Sequence, residues 1–279
     1  MTEEEKLKKL QNTQLGILKE FDRVCNILDL QYCLAFGSSL GAVRHKGFIP
    51  WDDDIDVYMR IEDLETLQKN ESLFNKPFFL QYKGSDPEYG LMISRLRNSN
   101  TTLIEATEIN RDINHGVFID IYPLFNSPKE GWGAKKLVIA SMIYRLMLYG
   151  VAPQNRGSLM RIGSSILLKT IPHIARNRII DNNYRKMKSY PYTGYLSSLH
   201  GDEANLRYPY SWFFPVKRVP FEDIEAPIEA EPDKYLKLIF GDYMKLPPEE
   251  ERHVHHDYAC LDTEESYTCY RGKVYCKDK

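Results

Sequence analysis

The sequence has no strong excess of one charge, no even set of cysteines and no long apolar run. Thirty-seven Lys and Arg against 39 Asp and Glu give a formal net charge of −2, so no global field favours nucleic acid as a partner. Five cysteines are an odd number, which disfavours a secreted disulfide framework. The acidic N-terminus is not followed by an apolar run of the signal-peptide kind. We therefore expect a cytoplasmic protein with reduced thiols and no nucleic-acid partner.

Apolar periodicity predicts an α+β fold for the first half of the chain. A capping-box pattern at Thr2 and Glu5, followed by apolar residues at helical spacing, predicts a helix over about 3–28. Short apolar or alternating runs predict further strands and helices. The strands are expected at about 32–36, 55–59, 78–82, 92–96, 102–104 and 117–122, and the helices at 40–44 and 61–70.

Four carboxylates crowd the segment Trp51–Val57. Because alternate side chains of a strand face the same way, Asp52, Asp54 and Asp56 are predicted to share one face. Three like charges on one face repel and raise one another's pKa unless a cation neutralises them. Mg²⁺ prefers carboxylate oxygens and shares them with substrate phosphates. The pattern therefore predicts a magnesium site, and an acidic surface loop is the simpler alternative.

A Gly37-Ser38 turn precedes this cluster at an expected junction between a strand and a helix. Backbone N–H groups at such a junction can hold a phosphate. A third carboxylate, Asp120, lies within the later apolar strand, between Ile119 and Ile121. A strand, a Gly-Ser turn, a helix and an Asp-x-Asp strand in this order are typical of a nucleotidyltransferase core. The cations that suit a diphosphate stand between the two motifs: Arg44, His45 and Lys46.

Residues Gly37–Val57 resemble the signature of the LicD family, and His115–Leu124 and Tyr243–Pro248 resemble its second and C-terminal blocks. The resemblance implies a nucleotidyltransferase-like mixed sheet with flanking helices. It also implies transfer of a phospho-alcohol, typically phosphocholine, from a CDP-activated donor such as CDP-choline. The acceptor would be a hydroxyl of a cell-surface glycan or of a lipid-linked, teichoic acid or lipopolysaccharide precursor.

In that reaction the acceptor hydroxyl would attack phosphorus in line and CMP would leave. Asp54, Asp56 and Asp120 are expected to hold one or two Mg²⁺ ions, for which Mn²⁺ can substitute. Asp120 or Asp52 would be the general base, and the sequence leaves both open. Donor phosphates are expected at the Gly-Ser turn and the cations after it, namely Gly37, Ser38, Arg44, His45 and Lys46.

The middle of the chain is basic, with eleven Lys or Arg and the single acid Asp181 between residues 133 and 188. Its apolar runs are shorter than the about 20 residues that a transmembrane helix needs. They predict either two core helices with solvated basic faces or an interfacial pair on anionic lipid at the inner face of the membrane. We divide the chain into a catalytic core (1–130), a basic helical insertion (131–200) and a C-terminal segment packing on the core (201–279).

Two other functions fit parts of the sequence. A nucleotidyltransferase that uses an NTP would share the fold but release pyrophosphate, and an idle membrane-associated scaffold would explain the basic segment. Near the C-terminus, His and Cys residues invite a structural zinc site, although their spacing matches no familiar zinc pattern: His253, His255, His256, Cys260, Cys269 and Cys276. Four aromatic residues suit either core packing or stacking on a base or quaternary ammonium: Trp51, Trp212, Phe213 and Phe214.

Overall fold

A computed structural model describes residues 2–151, 158–254 and 256–277. The chain divides into two compact units. The first comprises Met1–Tyr89, Ile93–Pro123 and Ser211–Lys279, and the second comprises Gly90–Met92 and Leu124–Tyr210. The three-segment division drawn from composition stays a prediction.

The helices and strands of the described residues alternate along the first half of the chain and become mainly helical in the middle. The helices are α1 (Glu3–Ile27), α2 (Phe36–His45), α3 (Ile61–Lys69), α4 (Gly131–Tyr149), α5 (Ser158–Thr170), α6 (His173–Lys188), α7 (Tyr210–Phe213) and α8 (Pro232–Phe240). The strands are β1 (Tyr32–Leu34), β2 (Asp56–Arg60), β3 (Phe78–Gln81), β4 (Ser94–Asn98), β5 (Thr102–Glu105), β6 (Val117–Asn126), β7 (Tyr195–Ser197), β8 (Tyr208–Pro209), β9 (Lys217–Phe221), β10 (Ile224–Ile228) and β11 (Tyr258–Asp262).

The core of the first unit is a sheet in the order β1-β2-β6-β4-β3. β1 pairs with β2, β4 with β6 and β3 with β4, all antiparallel. Val57, Ile119 and Ile121 are fully buried, as apolar residues of a sheet covered by helices should be. The mixed sheet with flanking helices confirms the predicted α+β class. The residues after 201 contain strands β9 to β11 as well as helix α8.

Helix α1 begins where the sequence predicts. Thr2 caps it, because its hydroxyl accepts from the N–H of Glu5 while the Glu5 carboxylate accepts from the N–H of Thr2. One face buries apolar residues such as Ile17, Leu18 and Phe21 against the unit's core. The same helix also buries two amides, Gln11 and Gln14, which must find hydrogen-bond partners there.

Helix α2 begins four residues earlier than predicted, at Phe36 rather than Leu40. Phe36 has φ of 47°, which turns the chain sharply out of β1 and lets the helix start at once. The N–H of Phe36 donates to the hydroxyl of Tyr235 at 3.2 Å. Gly37 and Ser38 therefore lie in the first turn of the helix and not in a loop before it.

A buried glutamate forms a hydrogen bond with helix α2. Glu229 follows β10, is fully buried, and accepts a hydrogen bond from the hydroxyl of Ser39 at 2.7 Å. Its other oxygen, Oε1, has no hydrogen-bond partner among the described residues. Burial raises the pKa of Glu229 from 4.5 to about 8, and the Ser39 bond opposes only part of this shift. The carboxyl is therefore largely protonated in the folded protein near neutral pH.

This burial predicts a stability that falls as pH rises. Between pH 4.5 and about 8 the unfolded chain releases the Glu229 proton while the folded protein keeps it. The free energy of unfolding therefore declines as pH rises through this range, by up to about 1.4 kcal/mol per pH unit. Below pH 4.5 the contribution of Glu229 to stability is complete. Glu229→Gln should abolish that part of the decline. Denaturant unfolding from pH 5 to 9 measures it. The control is Glu225→Gln, an exposed position on β10; parallel profiles for Glu229→Gln and the wild type would contradict the prediction.

The second unit confirms the expected helical middle of the chain. Helices α4 and α6 pack along each other through residues such as Tyr144 and Tyr184, whose ring centroids are 6.0 Å apart. The end of β6 pairs with β7, and β7 pairs with β8. No helix in the described ranges is both long and apolar enough to cross a membrane. Residues 152–157, part of the predicted basic insertion, lie outside the described residues.

Candidate functional site: a carboxylate cluster beside helix α2

The acidic segment is a buried loop that leads into a strand. Residues 52–55 have no strand structure, and β2 begins only at Asp56. The prediction that Asp52, Asp54 and Asp56 alternate on one strand face is therefore wrong. The reason lies in helix α1: Nε2 of Gln11 donates to the carbonyl of Asp52 at 2.9 Å, and Nε2 of Gln14 donates to that of Asp53 at 2.8 Å. These side chains replace the ladder bonds that a strand would supply.

The first turn of α2 supports this loop directly. A Cβ atom added to Gly37 would lie 2.7 Å from Oδ2 of Asp52, so a larger residue there would displace that carboxyl. The hydroxyl of Ser38 accepts from the N–H of Asp56 at 2.9 Å, and the carbonyl of Asp56 accepts from the N–H of Ala35 at 2.8 Å. The Gly-Ser pair thus positions the acids, while its predicted role in phosphate binding stays a prediction.

The predicted acids come together although they do not share a strand. The N–H of Asp120 donates to the carbonyl of Ile55 at 2.9 Å, which fixes β6 beside the acidic loop. Burial, with the charges of Asp54, Asp120 and Asp52, raises the pKa of Asp56 well above its usual range. Burial, with the charges of Asp54 and Asp53, likewise raises the pKa of Asp52 to about 8. Asp52 and Asp56 are therefore harder to ionise because of the acids beside them.

Asp54 is the most readily ionised of Asp52, Asp54 and Asp56. Burial raises its pKa to about 6, against the pull of His256. Asp52 and Asp54 are linked by a side-chain hydrogen bond, which favours the neutral form of Asp52 and the ionised form of Asp54. The pair thus holds one proton between them in the absence of another cation.

Asp120 is held by an arginine that the sequence analysis did not single out. Nε of Arg95 on β4 lies 2.7 Å from Oδ1 of Asp120, and Nη1 of Arg95 lies 2.5 Å from Oε2 of Glu105 and 3.4 Å from Oε2 of Glu108. The guanidinium is 3.8 Å from the centroid of the Phe118 ring. Burial still raises the pKa of Asp120, although Arg95 opposes the shift. Arg95 lies opposite Asp120 in the cross-strand register of β4 and β6. Knowledge of that register would have been needed to identify Arg95 as a residue of the site.

Asp53 is the fourth acid and has a different environment. It is almost fully buried and accepts from Nδ1 of His256 at 3.0 Å and from the hydroxyl of Tyr258. The hydrogen bond from His256 to Asp53 raises the pKa of that imidazole to about 9. Nε2 of His256 is 3.7 Å from Oδ2 of Asp54. A positive charge from the C-terminal segment therefore lies between two of the acids.

The carboxylates fit a hard divalent cation. Oδ1 of Asp56 is buried and has no hydrogen-bond partner within the described part of the chain, and an unpaired buried carboxylate oxygen needs a positive partner. Three ligand side chains do not already converge in metal-binding geometry anywhere in the described residues. Mg²⁺ does not require such a cage, because it keeps several waters and uses one or two carboxylates plus substrate phosphates. Asp54, Asp56 and Asp120 could hold it on those terms.

The predicted phosphate-binding cations lie at the end of α2. Nη1 of Arg44 donates to the carbonyl of Tyr243 at 2.7 Å, and Nε of Arg44 donates to Nε2 of His45 at 2.9 Å. Lys46 is exposed and ends the helix in the left-handed conformation. The ring of His45 meets that of Trp51 edge to face, with centroids 6.4 Å apart. These cations therefore stand next to the segment that carries the acids.

The zinc site suggested by the C-terminal His and Cys residues and the aromatic pair Phe213 and Phe214 are not part of the carboxylate cluster. No metal-binding group of His, Cys, Asp and Glu occurs among the described residues, and His255 lies outside them. No disulfide bond occurs in the described part of the chain. Phe213 and Phe214 are buried, and Phe213 packs against Tyr58 and Tyr235, so these aromatic residues belong to the core.

The segment that forms this site matches a known protein family. Residues 29–138 match the family model LicD/FKTN/FKRP, nucleotidyltransferase domain. This range contains α2, the acidic loop, Arg95 and Asp120. The chain therefore contains a LicD-type nucleotidyltransferase domain, as the motif resemblance predicted, and the prediction of a LicD-like transferase is confirmed with it.

Curated relatives extend the similarity beyond the family match. The lipopolysaccharide cholinephosphotransferase LicD of Haemophilus influenzae is 27% identical over 278 residues, which cover 90% of this chain and 96% of that protein. An uncharacterized protein of Rickettsia prowazekii is 38% identical over 53 residues, 19% of this chain and 20% of that protein. An uncharacterized protein of Rickettsia typhi is 38% identical over 47 residues, 17% of this chain and 15% of its own.

The crowding of the acids predicts opposite effects of Asp56→Asn on stability and on metal binding. Without divalent ions the variant should be more stable than the wild type by about 1 kcal/mol, because it removes a carboxyl that is buried among like charges. The rise in unfolding temperature that Mg²⁺ gives the wild type should disappear. Thermal unfolding with and without Mg²⁺ measures both.

Asp29→Asn is the matched control, because Asp29 is exposed and has a left-handed backbone conformation that Asn tolerates. It should leave the Mg²⁺ effect unchanged. An Asp56→Asn protein that Mg²⁺ still stabilises to the wild-type extent would refute the metal assignment.

Proposed function

We propose that this protein is a Mg²⁺-dependent transferase that moves phosphocholine from CDP-choline to a hydroxyl of a cell-surface glycan precursor, such as a lipopolysaccharide or teichoic acid precursor. The observation that carries the proposal is the unpaired, buried oxygen of Asp56 among Asp54 and Asp120, within a LicD nucleotidyltransferase domain. The similarity to the lipopolysaccharide cholinephosphotransferase of Haemophilus influenzae, which the alignment covers almost completely, supports choline and lipopolysaccharide as the first substrates to test.

The reaction is a displacement at phosphorus, so catalysis depends on positioning and on neutralising charge. Mg²⁺ held by Asp54, Asp56 and Asp120 would neutralise the donor diphosphate. Arg44, His45 and Lys46 would bind the same phosphates from the end of α2. The acceptor hydroxyl must lose a proton as it attacks, which requires a carboxylate that is not committed to the metal.

Asp52 suits the role of general base better than Asp120. Oδ1 of Asp120 is already bound by Arg95, whereas Asp52 is partly exposed and its carboxyl is hydrogen-bonded to Asp54. A general base must be ionised and works best when its pKa lies near the operating pH; a cation bound by Asp54 and Asp56 would lower the pKa of Asp52 from the value of about 8 that it has beside those acids alone. In this proposal Asp52 takes the acceptor proton, and Gly37 keeps the space that its carboxyl needs.

The donor can be identified by its effect on stability. CDP-choline with Mg²⁺ should raise the unfolding temperature more than CDP-ribitol, CDP-glycerol or CTP, because a ligand that binds only the folded state stabilises it. At 100 times the dissociation constant the gain would be about 2.7 kcal/mol. A thermal-shift series with these four compounds, each with and without Mg²⁺, makes the measurement. Incubation with an acceptor glycan should then release CMP.

The rival functions give different results in the same series. A shift with CTP alone, together with pyrophosphate release, would identify an NTP-dependent nucleotidyltransferase. No shift with any nucleotide would favour a catalytically idle scaffold. Asp52→Asn should keep the CDP-choline shift and lose transfer; a variant that transfers at the wild-type rate would remove Asp52 from the mechanism.

The exposed side of α4 suggests where a lipid-linked acceptor would be met. Its outward positions include Trp132, Ile139 and Ile143, with exposed fractions of 73%, 50% and 36%. Two exposed lysines, Lys135 and Lys136, lie between them. The ammonium of Lys135 is 5.7 Å from the centroid of the Trp132 ring. An exposed mixture of aromatic, aliphatic and basic side chains is typical of helices that lie on anionic membranes.

Helix α5 repeats this composition. Ile162, Ile166 and Leu167 are exposed, the four-residue spacing puts Ile162 and Ile166 on one face, and Lys169 follows them. Neither α4 nor α5 contains an Asp or Glu. Residues 133–188 carry eleven basic side chains against Asp181, so their charge complements an anionic surface. We therefore propose that α4 and α5 rest on the anionic inner face of a membrane.

Vesicle sedimentation tests this proposal. The protein should bind phosphatidylcholine vesicles that contain phosphatidylglycerol at low salt and be released as salt increases. Lys135→Gln/Lys136→Gln should weaken binding by about 1 kcal/mol per lysine, and Ile162→Ser/Ile166→Ser should weaken it by removing inserted apolar surface.

Lys234→Gln/Lys237→Gln on α8 removes the same charge from another exposed helix and should leave binding unchanged. Equal binding to vesicles with and without phosphatidylglycerol, or equal losses in both lysine variants, would overturn the membrane proposal. Donor binding does not depend on lipid, so the two proposals fail separately.

A further inference from the structure

One arginine of the C-terminal segment stands beside the candidate site without an assigned role. Arg252 lies with its guanidinium 5.6 Å from the centroid of the Trp51 ring, and Trp51 is three residues before Asp54. Its Nε donates to the carbonyl of Pro247 at 2.9 Å. This bond fixes the side chain over the ring, and within the described ranges the two Nη groups of Arg252 make no hydrogen bond.

Arg252 lies close to a second guanidinium. Partial burial, and then the charge of Arg252, lower the pKa of Arg44 below its usual range. Partial burial and the charge of Arg44 lower the pKa of His45 in the same way. Three basic side chains therefore crowd one region around Trp51, although like charges at short range repel.

No carboxylate within the described residues is at ion-pair distance from Arg44 or Arg252. This contrasts with five other arginines of the same unit, each of which faces an acid at 3.0 Å or less: Arg23, Arg60, Arg95, Arg218 and Arg271. Both guanidinium groups are half-buried, so they are partly dehydrated and yet accessible. A bound anion would compensate this local excess of positive charge.

The backbone around the pair is built to hold it in place. The N–H of Phe48 donates to Oε1 of Glu222 at 3.0 Å, and the carbonyl of Lys46 accepts from the N–H of Glu222 at 2.9 Å. A Cβ added to Gly47 would lie 2.3 Å from the same Oε1. The turn that follows Arg44 is thus tied to the β9–β10 turn, and the Tyr243 carbonyl fixes Arg44 itself.

We propose that Arg44 and Arg252 form a two-guanidinium anion site beside Trp51 that binds the diphosphate of the nucleotide donor. The identity of the ligand rests on the proposed function, whereas the anion site itself does not. Guanidinium groups match phosphate oxygens with paired N–H donors. A diphosphate bound here would present one phosphate to the acids that follow Trp51. The C-terminal segment thereby contributes a residue to donor binding.

Calorimetric titration with inorganic pyrophosphate, without divalent ions and at low salt, tests the anion site alone. The wild type should bind it, and Arg252→Gln and Arg44→Gln should each weaken binding tenfold or more. Arg252→Lys keeps the charge and loses the paired donors, so its affinity for pyrophosphate should lie between those of the wild type and Arg252→Gln. Arg218→Gln is the matched control and should bind as the wild type does. Far-UV circular dichroism confirms that each variant is folded.

A second titration with CDP-choline and with cytidine separates this site from the proposed function. We expect Arg252→Gln to weaken CDP-choline by a similar factor and to leave cytidine unchanged. Pyrophosphate binding that depends on Arg252, without CDP-choline binding, would uphold the anion site and reject the donor. Absence of pyrophosphate binding to the wild type, or equal affinity of Arg252→Gln and Arg218→Gln, would overturn the inference.

Discussion

Mutual repulsion among buried carboxylates is the constraint on which the rest of the site depends. Burial raises the pKa of Asp52, Asp54, Asp56 and Asp120, and the neighbouring acids raise those of Asp52 and Asp56 further, so folding must bring these groups together in spite of a free-energy cost. Cations on either side make this arrangement tolerable: Arg95 binds Asp120, and His256 lies between Asp53 and Asp54. The protein thus spends stability on a site that a further cation would relieve, which is a common relation between function and stability.

Much of the fold could be predicted from local signals. The capping box placed the start of α1, and apolar alternation found the strands of the central sheet, because both signals act between residues close in sequence. The acids of the site were equally visible as charges embedded in apolar runs. The wrong prediction was that the acids alternate on a strand. Two glutamines of α1, some forty residues earlier, bind the loop carbonyls and remove that regularity.

Several contacts that the sequence did not predict join residues far apart along the chain. His256 and Tyr258 reach Asp53 from more than 200 residues away, and Glu229 reaches Ser39 from 190. Nothing in their local sequence indicates these contacts. Asp53 and Asp54 show the consequence most clearly: adjacent and chemically identical, they differ because one is enclosed by C-terminal donors and the other faces the cluster.

The two glutamines of α1 show that the acidic loop depends on residues outside the segment that matches the family. The family match begins at residue 29, after α1 has ended, and finishes long before Glu229 and His256. A fragment cut to residues 29–138 would keep every acid of the cluster and lose the amides that bind its loop carbonyls, the glutamate beneath α2 and the imidazole beside Asp53. The segment that carries the family motif is therefore shorter than the segment that holds the site in place. Helix α1 and the residues after 228 are structural parts of the site, although both lie outside the family match.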